Sequence, residues 1–297
     1  VLHAVRIFPY TPLAAKQSLR AESFDPDRSI SIMVANILMH NREAHLLVDL
    51  VREKEPDLLF VLEPDQWWAE QLAVLEPSYP FRIEKPLEDT YGMMLYSRLE
   101  LVDPEIRYLM DPGVPSFFAQ ALLKSGERVD LHLLHPKPPY PAESLETTER
   151  DAEIVLAGLA AKESRFPAII AGDLNDVAWS HTTRLFQRTS GMLDPRIGRG
   201  LYSTFHAKIP FMRWPLDHVF HSEHFQLVGI ERQPAVGSDH FPVFVKLALH
   251  ENGPVLQEEP APENGDAEEA VDTLEEATDM SPDAAPETPD PEPGSQK

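Results

Sequence analysis

Short apolar runs separated by turn residues occupy most of this chain. Because side chains alternate between the two faces of a strand, an apolar run bounded by Gly, Pro, Asn or Asp predicts a buried β-strand. The predicted strands, in chain order, are 29–37, 57–62, 92–97, 101–109, 117–124, 128–134, 167–171, 216–221, 225–232 and 242–249. The run of short strands between 92 and 134, without a long helix, indicates an antiparallel or mixed sheet rather than a pure βαβ array.

Apolar positions spaced three and four residues apart predict helices between these strands. The predicted helices are 42–53, 66–75, 142–162 and 179–187. In the first of them Leu47, Leu50 and Val51 share one face, and Pro56 ends the pattern. Strands and helices in this order predict an α/β fold in which two sheets face each other and the helices lie outside.

The two ends of the chain differ in composition from its middle. Residues 251–297 hold 15 of the 49 acidic residues, a single lysine and no aromatic residue. Such a segment buries too little apolar surface to offset its ordering entropy, so we expect an acidic, proline-rich disordered tail. Residues 1–28 begin apolar and are then broken by prolines, which predicts an N-terminal linker, an edge strand or a membrane-proximal segment. The domain that carries the chemistry is then 29–250.

Composition excludes several classes of protein. The 297 residues include no cysteine, so disulfides, thiolate metal sites and a cysteine nucleophile are excluded. The sequence has neither an apolar run near the roughly 18 residues of a membrane-spanning helix nor a basic-then-apolar signal segment. Since the first residue is Val rather than Met, we expect that an upstream part was removed or left out.

One predicted strand ends abruptly in polar residues. The run 167–171 is followed by Gly172, Asp173, Leu174 and Asn175. The two-residue period of a strand places Asp173 and Asn175 on the same side of its carboxyl end. Open α/β sheets bind ligands at such ends, and an Asp beside an Asn suits the activation of water next to a phosphate and a hard cation. The alternative interpretation of the same residues is a turn followed by a helix cap, without a functional role.

Polar and ionisable residues stand at the ends of other predicted strands as well. Each has an ordinary explanation alone, as a turn former or a hydrogen-bonded surface residue, and their common position is the stronger signal. They are Asn36, Glu63, His135, Asp217, His218, Ser238, Asp239 and His240.

Taken together and in this order, these motifs resemble those of the endonuclease/exonuclease/phosphatase superfamily, which includes deoxyribonuclease I and bacterial sphingomyelinases. The resemblance covers roughly 29–249. It implies a four-layer α/β/β/α sandwich with two packed mixed, mainly antiparallel sheets. It also implies a Mg²⁺- or Mn²⁺-dependent hydrolase that acts on phosphate esters. The motifs are Asn36, Glu63, His135-Pro136, Gly172-Asp173-Leu174-Asn175, Asp217-His218 and Ser238-Asp239-His240.

The resemblance also implies roles for individual residues. Glu63 resembles the principal Mg²⁺ ligand of the family, with Asn36 and Asp239 near the same ion. A hard cation with oxygen ligands stabilises the negative charge that develops in phosphoryl transfer.

The other implied roles concern water and phosphate. Asp173 would position and deprotonate the attacking water, and Asn175 would hold a phosphate oxygen. His240, oriented by Asp217, would neutralise the developing charge, and His135 would make a second phosphate contact. His218, beside Asp217, is given at most a supporting role.

Three functions remain open from the sequence. A phosphatase or phosphodiesterase for a lipid-linked or small phosphorylated substrate is favoured by the loop 205–215, which mixes aromatic residues with Lys and Arg and suits an interface or an acyl chain. A nuclease is disfavoured because residues 1–250 carry a net charge of about −9 and no basic run, although a local basic groove leaves nucleic acid open as a partner. A catalytically silent binding protein is the third alternative.

The N-terminal segment bears on location. Its Phe-Pro-Tyr-Thr-Pro run is similar to the membrane-proximal segment of bacterial family members that carry transmembrane helices ahead of the catalytic domain. This resemblance favours a membrane-anchored bacterial enzyme whose catalytic domain faces outward, and a cytoplasmic enzyme is the alternative.

Overall fold

Two β-sheets stacked face to face form the middle of the computed structural model, which describes residues 2–139, 144–250 and 253–280. The first sheet contains β1 (Ser29–Asn36), β2 (Leu58–Leu62), β3 (Phe81–Lys85), β4 (Met93–Ser97), β10 (Phe225–Arg232) and β11 (Val243–Leu249). The second contains β5 (Glu100–Arg107), β6 (Ser116–Leu122), β7 (Arg128–Leu134), β8 (Ala168–Asp173) and β9 (Asp217–His221). Their strand orders are β10-β11-β1-β2-β4-β3 and β5-β6-β7-β8-β9.

Each sheet contains one parallel pair of strands among antiparallel neighbours. In the first sheet β1 runs parallel to β2, with Asn36 opposite Leu62. In the second β7 runs parallel to β8, with Leu134 opposite Gly172. Parallel strands end at the same edge of a sheet, so the residue that follows each strand lies beside the residue that follows its partner.

The side-chain period of two divides each central strand between two cores. In β1, Ile32 and Val34 point into the core between the sheets, whereas Met33 and Ala35 pack under the helices on the outer face. Phe60 of one sheet and Phe117 of the other meet in the inner core with ring centroids 6.4 Å apart. Burial on both faces explains why these strands are apolar throughout.

Helices cover the outer faces of both sheets. Leu47 and Trp68, from α2 and α3, pack on the first sheet, and Ile154 and Phe186, from α4 and α5, pack on the second. The resulting α/β/β/α sandwich confirms the predicted fold class. The helices of the described residues are α1 (Leu2–Ile7), α2 (Ala44–Lys54), α3 (Gln66–Leu72), α4 (Ser144–Lys162), α5 (His181–Ser190), α6 (Gly253–Leu256) and α7 (Asp266–Met280).

The predicted strands all exist, with small differences at their ends, but the prediction omitted β3. The sequence Phe-Arg-Ile-Glu-Lys alternates apolar and charged residues between two prolines. This pattern is typical of an edge strand, and β3 lies at the edge of the six-stranded sheet. The predicted helix at 142–162 begins in residues outside the described part of the chain and continues as α4.

The N-terminal segment is not a free linker in the described part of the chain. The Tyr10 side chain is buried, and its hydroxyl donates a hydrogen bond to the carbonyl of Ala178. Buried Ser18 shares a 2.8 Å hydrogen bond with Nε2 of His221. These contacts with β9 and with the loop after β8 attach residues 4–28 to the domain. No helix among residues 2–139, 144–250 and 253–280 has the length and apolarity to cross a membrane.

The prediction of a disordered tail is wrong for residues 253–280. Helix α7 packs against α4 and α5 through Ala270, Leu274 and Ala277. These positions recur at four and three residues, so they form one helical face that composition alone did not reveal. Arg188 of α5 joins Asp266 through two hydrogen bonds of 2.8 Å. The rest of the predicted tail, 251–252 and 281–297, lies outside the described residues.

Candidate active site at the strand ends

The two parallel strand pairs place polar residues of both sheets at one edge of the sandwich. Asn36 ends β1 and Glu63 follows β2, while His135 follows β7 and Asp173 ends β8. The carboxamide of Asn36 donates from Nδ2 to Oε1 of Glu63 at 2.8 Å and to Oδ2 of Asp173 at 3.1 Å. A single side chain therefore joins the polar ends of the two sheets.

A histidine stands between two carboxylates beside this junction. Nδ1 of His240 lies 2.8 Å from Oδ2 of Asp217, and Nε2 lies 3.6 Å from Oδ2 of Asp173. All three side chains are buried, and the Asp217 amide donates to the Thr204 hydroxyl at 3.2 Å. Burial by itself lowers the pKa of His240, but the carboxylates of Asp217 and Asp173 outweigh it and raise this pKa to about 10. Nδ1 is fixed by Asp217, so Nε2 faces the junction.

The turn after β8 orients the side chains of Asp173 and Asn175. Gly172 has φ of 151° and Asn175 has φ of 50°, so the backbone turns sharply around Asp173. The Asn175 amide donates to Oδ1 of Asp173 at 2.9 Å, and its Nδ2 donates to the carbonyl of Pro136 at 2.9 Å. The same residues thus form both a side-chain-capped turn and part of the polar cluster.

His135 and Asp239 occupy the periphery of this cluster. His135 is buried and its Nδ1 has no hydrogen-bond partner among the described residues, although its ring lies 6.1 Å from that of Tyr91. A buried polar atom without a hydrogen-bond partner is unusual, and a bound ligand that forms the missing hydrogen bond would explain it. The Asp239 carboxylate lies 3.4 Å from the Ser238 hydroxyl, and its charge contributes to the raised pKa of His240. The structure gives Asp239 no direct contact with Glu63 or Asn36 within the described ranges.

Arg150 was missed by the sequence analysis. It lies in α4, where a charged residue normally faces water, yet its side chain is buried. Its Nη1 donates to the carbonyl of Asn175 at 3.1 Å, and its Nε and Nη2 both donate to Asp151. Arg150 thus holds the turn that carries Asn175, and no periodicity in the sequence distinguishes it from a surface arginine.

A buried ion pair between Arg196 and Asp194 also supports the turn, through His218. Arg196 donates to Asp194 from Nη2 at 2.8 Å, and the same nitrogen donates to Nδ1 of His218 at 2.6 Å. Nε2 of His218 then donates to the carbonyl of Asp176 at 2.9 Å. Burial and the charge of Arg196 hold the pKa of His218 well below its usual range, so the ring is neutral. His218 therefore connects β9 to the Asp173 turn.

Two groups of residues at this edge qualify as cation ligands. Asp173, Asp217 and His240 offer ligand atoms within 4.8 Å of one another, but Nδ1 of His240 is already committed to Asp217. Glu63 and Asn36 form the second group, and Glu63 holds φ of 64°, a conformation that non-glycine residues rarely adopt. The Glu63 carboxylate and Oδ1 of Asn36 are oxygen ligands of the kind that Mg²⁺ or Mn²⁺ prefers, whereas the Asn36 nitrogen that faces Glu63 is not.

The fold and this site together indicate a class of enzymes. A four-layer sandwich with acid, amide and imidazole side chains at one edge of its sheets is the arrangement of metal-dependent phosphoester hydrolases. The sequence profile described as "Endonuclease/Exonuclease/phosphatase family" matches residues 33–240, more than two thirds of the chain. The chain belongs to the endonuclease/exonuclease/phosphatase family, as its motifs predicted. Members of this family are hydrolases that act on phosphoester bonds.

Solved structures show the same fold at low sequence identity. TDP2 from D. rerio complexed with single strand DNA product matches with a TM-score of 0.61 at 17% identity, over 74% of this chain and 98% of the other. The catalytic domain of human Nocturnin with bound sulfate anion gives 0.61 at 17% identity, over 78% and 96%. An endonuclease/exonuclease/phosphatase from Beutenbergia cavernae gives 0.59 at 18% identity, over 75% and 72%. No curated protein sequence matches this chain.

Proposed function

We propose that this protein hydrolyses a phosphate ester by in-line attack of a water molecule that Asp173 activates, with a divalent cation bound at the same edge. One observation carries the proposal. Oδ2 of Asp173 is shared between the Asn36 amide at 3.1 Å and Nε2 of His240 at 3.6 Å. A single carboxylate thus touches both the cation-binding group and the imidazole.

Asp173 is the group we assign to the attacking water. Its Oδ1 accepts from the backbone amide of Asn175, so the carboxylate plane is fixed before substrate binds. A fixed carboxylate within hydrogen-bond reach of a water orients it and accepts its proton as the bond to phosphorus forms.

Glu63 and Asn36 are the cation ligands in this proposal, with Asp239 approaching from the loop before β11. A Mg²⁺ or Mn²⁺ ion bound there supplies Lewis-acid polarisation of the phosphoryl oxygen. The carboxylate of Glu63 is an oxygen ligand of the kind that these cations prefer, and its strained backbone supports the assignment.

The remaining polar groups are assigned to the phosphate. Nε2 of His240, oriented by Asp217 through Nδ1, donates to a non-bridging oxygen and balances the developing charge. The second N–H of the Asn175 carboxamide and Nδ1 of His135 are assigned as further donors on the β7–β8 side. No covalent intermediate is required.

A lipid-linked or small phosphorylated substrate is the better-supported substrate class. Residues 1–250 carry a net charge of about −9, which disfavours the phosphate backbone of nucleic acid. The second candidate is a nuclease activity, and the observation that favours it is the D. rerio TDP2 structure, which shares this fold and contains a single strand DNA product.

The test is hydrolysis of bis-p-nitrophenyl phosphate and p-nitrophenyl phosphate with Mg²⁺, with Mn²⁺ and with EDTA. We expect turnover that EDTA abolishes and that Asp173→Asn reduces by about 10²- to 10⁴-fold, the usual contribution of a general base. Asp49→Asn, at an exposed position on α2, is the matched control and retains turnover. The ratio of diester to monoester rates separates nuclease-like from phosphatase-like behaviour.

Inactivity of the wild-type protein over a broad panel of phosphorylated substrates, metals and pH values would instead support a silent binding protein. Full activity of Asp173→Asn would remove Asp173 from the role assigned to it.

A further inference from the structure

An open, largely apolar cleft lies next to the turn that carries Asn175. Its volume is about 650 Å³, within the range of ligand sites in proteins. Its walls come from α1, from the turn after β8 and from the segment before β9. The apolar lining residues are Ile7, Pro139, Val177, Trp179, Trp214 and Leu216.

The cleft is continuous with the candidate active site. Asn175, assigned above to a phosphate oxygen, also lines the cleft. A phosphate ester bound at Asn175 therefore has its organic substituent next to the opening of the cleft. The cleft is therefore positioned to bind that substituent.

The two charged side chains that line the cleft are already engaged. Arg150 donates to Asp151 and to the Asn175 carbonyl. The Asp176 carboxylate accepts hydrogen bonds from the hydroxyls of Ser180 and Thr183. What remains for a ligand is mostly apolar surface, which fits a hydrocarbon chain better than a nucleobase, whose polar edge needs several hydrogen-bond partners.

The aromatic residues of the cleft also disfavour base stacking. Trp179 and Trp214 meet edge to face, with ring centroids 6.4 Å apart and an interplanar angle of 61°. This pair forms a wall rather than two parallel platforms between which a base intercalates.

Exposed apolar side chains continue from the cleft to the surface. In the loop that ends at Trp214, Phe211 is 98% exposed and Met212 is 55% exposed. On the α1 side, Phe8 follows the lining residue Ile7 and is 51% exposed. Large apolar residues exposed on two segments that flank one cleft mark a surface that contacts another apolar phase.

The base of the same loop reaches the active site. The backbone of Phe205 pairs with that of Trp214 and with that of His240, and the Phe205 ring lies 4.9 Å from the His240 ring. The loop therefore has an exposed apolar tip at one end and the active-site imidazole at the other.

We propose that the cleft holds the hydrocarbon chain of a lipid phosphate ester, which the enzyme takes from a bilayer that the tip at Phe211 and Met212 contacts. This proposal rests on the proposed phosphoesterase function and names its substrate class. Because the whole chain carries a net charge of −23, we expect apolar insertion rather than electrostatic attraction to drive the contact.

The first experiment measures binding to the cleft independently of turnover. Tryptophan fluorescence of the full chain is titrated with butyl, octyl and dodecyl phosphate below their micelle concentrations. Each methylene transferred from water to an apolar site contributes about fourfold in affinity, so we expect dodecyl phosphate to bind at least about 100-fold more tightly than butyl phosphate.

Cleft variants identify the binding surface. Trp214→Ala and Ile7→Ser should each weaken dodecyl phosphate binding by at least about tenfold and leave butyl phosphate binding unchanged. Trp67→Ala is the matched control, since this half-buried tryptophan packs on Arg42, away from the cleft. Hydrolysis of p-nitrophenyl phosphate and its bis ester should be the same in Trp67→Ala as in the wild-type protein.

The second experiment tests the bilayer contact by co-sedimentation with vesicles of phosphatidylcholine alone. We expect binding that is insensitive to salt and falls at least fivefold in the double variant Phe211→Ser with Met212→Ser. Val74→Ser, a substitution at another exposed apolar position, retains binding.

The outcomes separate the two proposals. No turnover of any phosphate ester, with dodecyl phosphate still bound in the cleft, contradicts the proposed function and keeps the cleft assignment. Turnover of the p-nitrophenyl esters without any dependence of binding on chain length overturns the cleft assignment. Displacement of dodecyl phosphate by thymidine 5′-phosphate at lower concentration also overturns it and favours a nucleotide. Vesicle binding unchanged in the double variant overturns the bilayer contact.

Discussion

Asn36 shows how much of this site depends on one side chain. Its amide nitrogen contacts Glu63 and Asp173, which are 110 positions apart in the sequence and belong to the ends of different sheets. Its carbonyl oxygen accepts from the amide of Leu38 at 3.1 Å, so the orientation of the carboxamide is fixed. From the sequence Asn36 resembles a turn former, and its bridging contacts exist only in the folded protein.

Gly172 carries the most severe steric constraint at the residue scale. A Cβ atom there would lie 1.8 Å from the carbonyl oxygen of Leu134, in the neighbouring parallel strand, and φ is 151°. We expect Gly172→Ala to lower the free energy of unfolding by more than about 3 kcal/mol, since neither backbone can move without breaking the β7–β8 pairing. Urea denaturation monitored by circular dichroism measures the loss.

Gly126 provides the control for Gly172. Its φ is 95°, but a Cβ atom there meets nothing within 4 Å. Gly126→Ala should therefore cost only the backbone strain, about 1–2 kcal/mol. Equal losses in the two variants would contradict the steric explanation.

At the scale of elements, α7 corrects an expectation drawn from composition. A disordered tail at 251–297 would be dispensable for folding. Because α7 covers apolar side chains of α4 and α5 and is held by Arg188, we now expect a chain ending at Pro262 to melt at least about 4 °C below a chain ending at Met280. Differential scanning calorimetry of the two truncations tests this.

The same truncation should spare catalysis. Helix α7 lies on the outer helical layer, whereas the candidate active site lies at the strand ends, so the metal-dependent rate on bis-p-nitrophenyl phosphate should change less than twofold at 20 °C. Identical melting temperatures for the two truncations would show that α7 contributes nothing to stability.

Glu153 of α4 makes the contact between this helix and β6 sensitive to pH. Its side chain is buried and accepts a 2.7 Å hydrogen bond from the hydroxyl of Ser116. Burial raises the pKa of Glu153 to about 7, with a smaller contribution of the same sign from the charges of Asp111 and Glu149 and an opposing one from the Ser116 bond. The folded protein therefore keeps this carboxyl protonated at a pH where the unfolded chain has lost the proton.

The sign of the pH effect follows from these two pKa values. With a folded pKa of about 7 and an unfolded pKa near 4.5, the stabilisation is complete below pH 4.5 and is lost as pH rises through 7. We expect Glu153→Gln to raise the free energy of unfolding by about 3 kcal/mol at pH 8 and by less than about 0.5 kcal/mol at pH 4.5. Urea titrations at both pH values measure the difference, and an equal effect at both would contradict it.

At the scale of the whole molecule, the site depends on how the two sheets are stacked. A cation held by Glu63 and Asn36, as we propose, would connect the end of one sheet to the end of the other beside Asp173. Binding to the folded state alone stabilises it, by about 2.7 kcal/mol at a cation concentration 100 times the dissociation constant. We therefore expect Mg²⁺ or Mn²⁺ to raise the melting temperature and EDTA to reverse the rise.

Two variants decide which group of residues holds the cation. Glu63→Gln should remove the thermal shift, whereas Asp217→Asn should retain it. The opposite result would assign the cation to Asp173, Asp217 and His240, whose ligand atoms also lie within 4.8 Å of one another. This readout is independent of catalytic activity.

The sequence by itself determined the elements and the chemistry available to them. Apolar runs such as 58–62 and 168–171 identify strands because burial on both faces leaves no position for polar residues. Polar residues that end those runs converge, since β1 and β2, like β7 and β8, are parallel and end at a common edge. The order of these polar residues supports the family resemblance, and the resemblance implies the four-layer architecture. Both are confirmed.

Only the tertiary structure decided which polar residues touch. The buried contacts of Arg150, Arg196 and Glu153 depend on how helices and loops pack on the sheets, and a charged residue on a helix has no local signal of such burial. The docking of α7 and the cleft between α1 and the Trp214 loop have the same origin. Local pattern specifies the direction of a side chain within its own element, whereas its partners are set by the packing of distant elements.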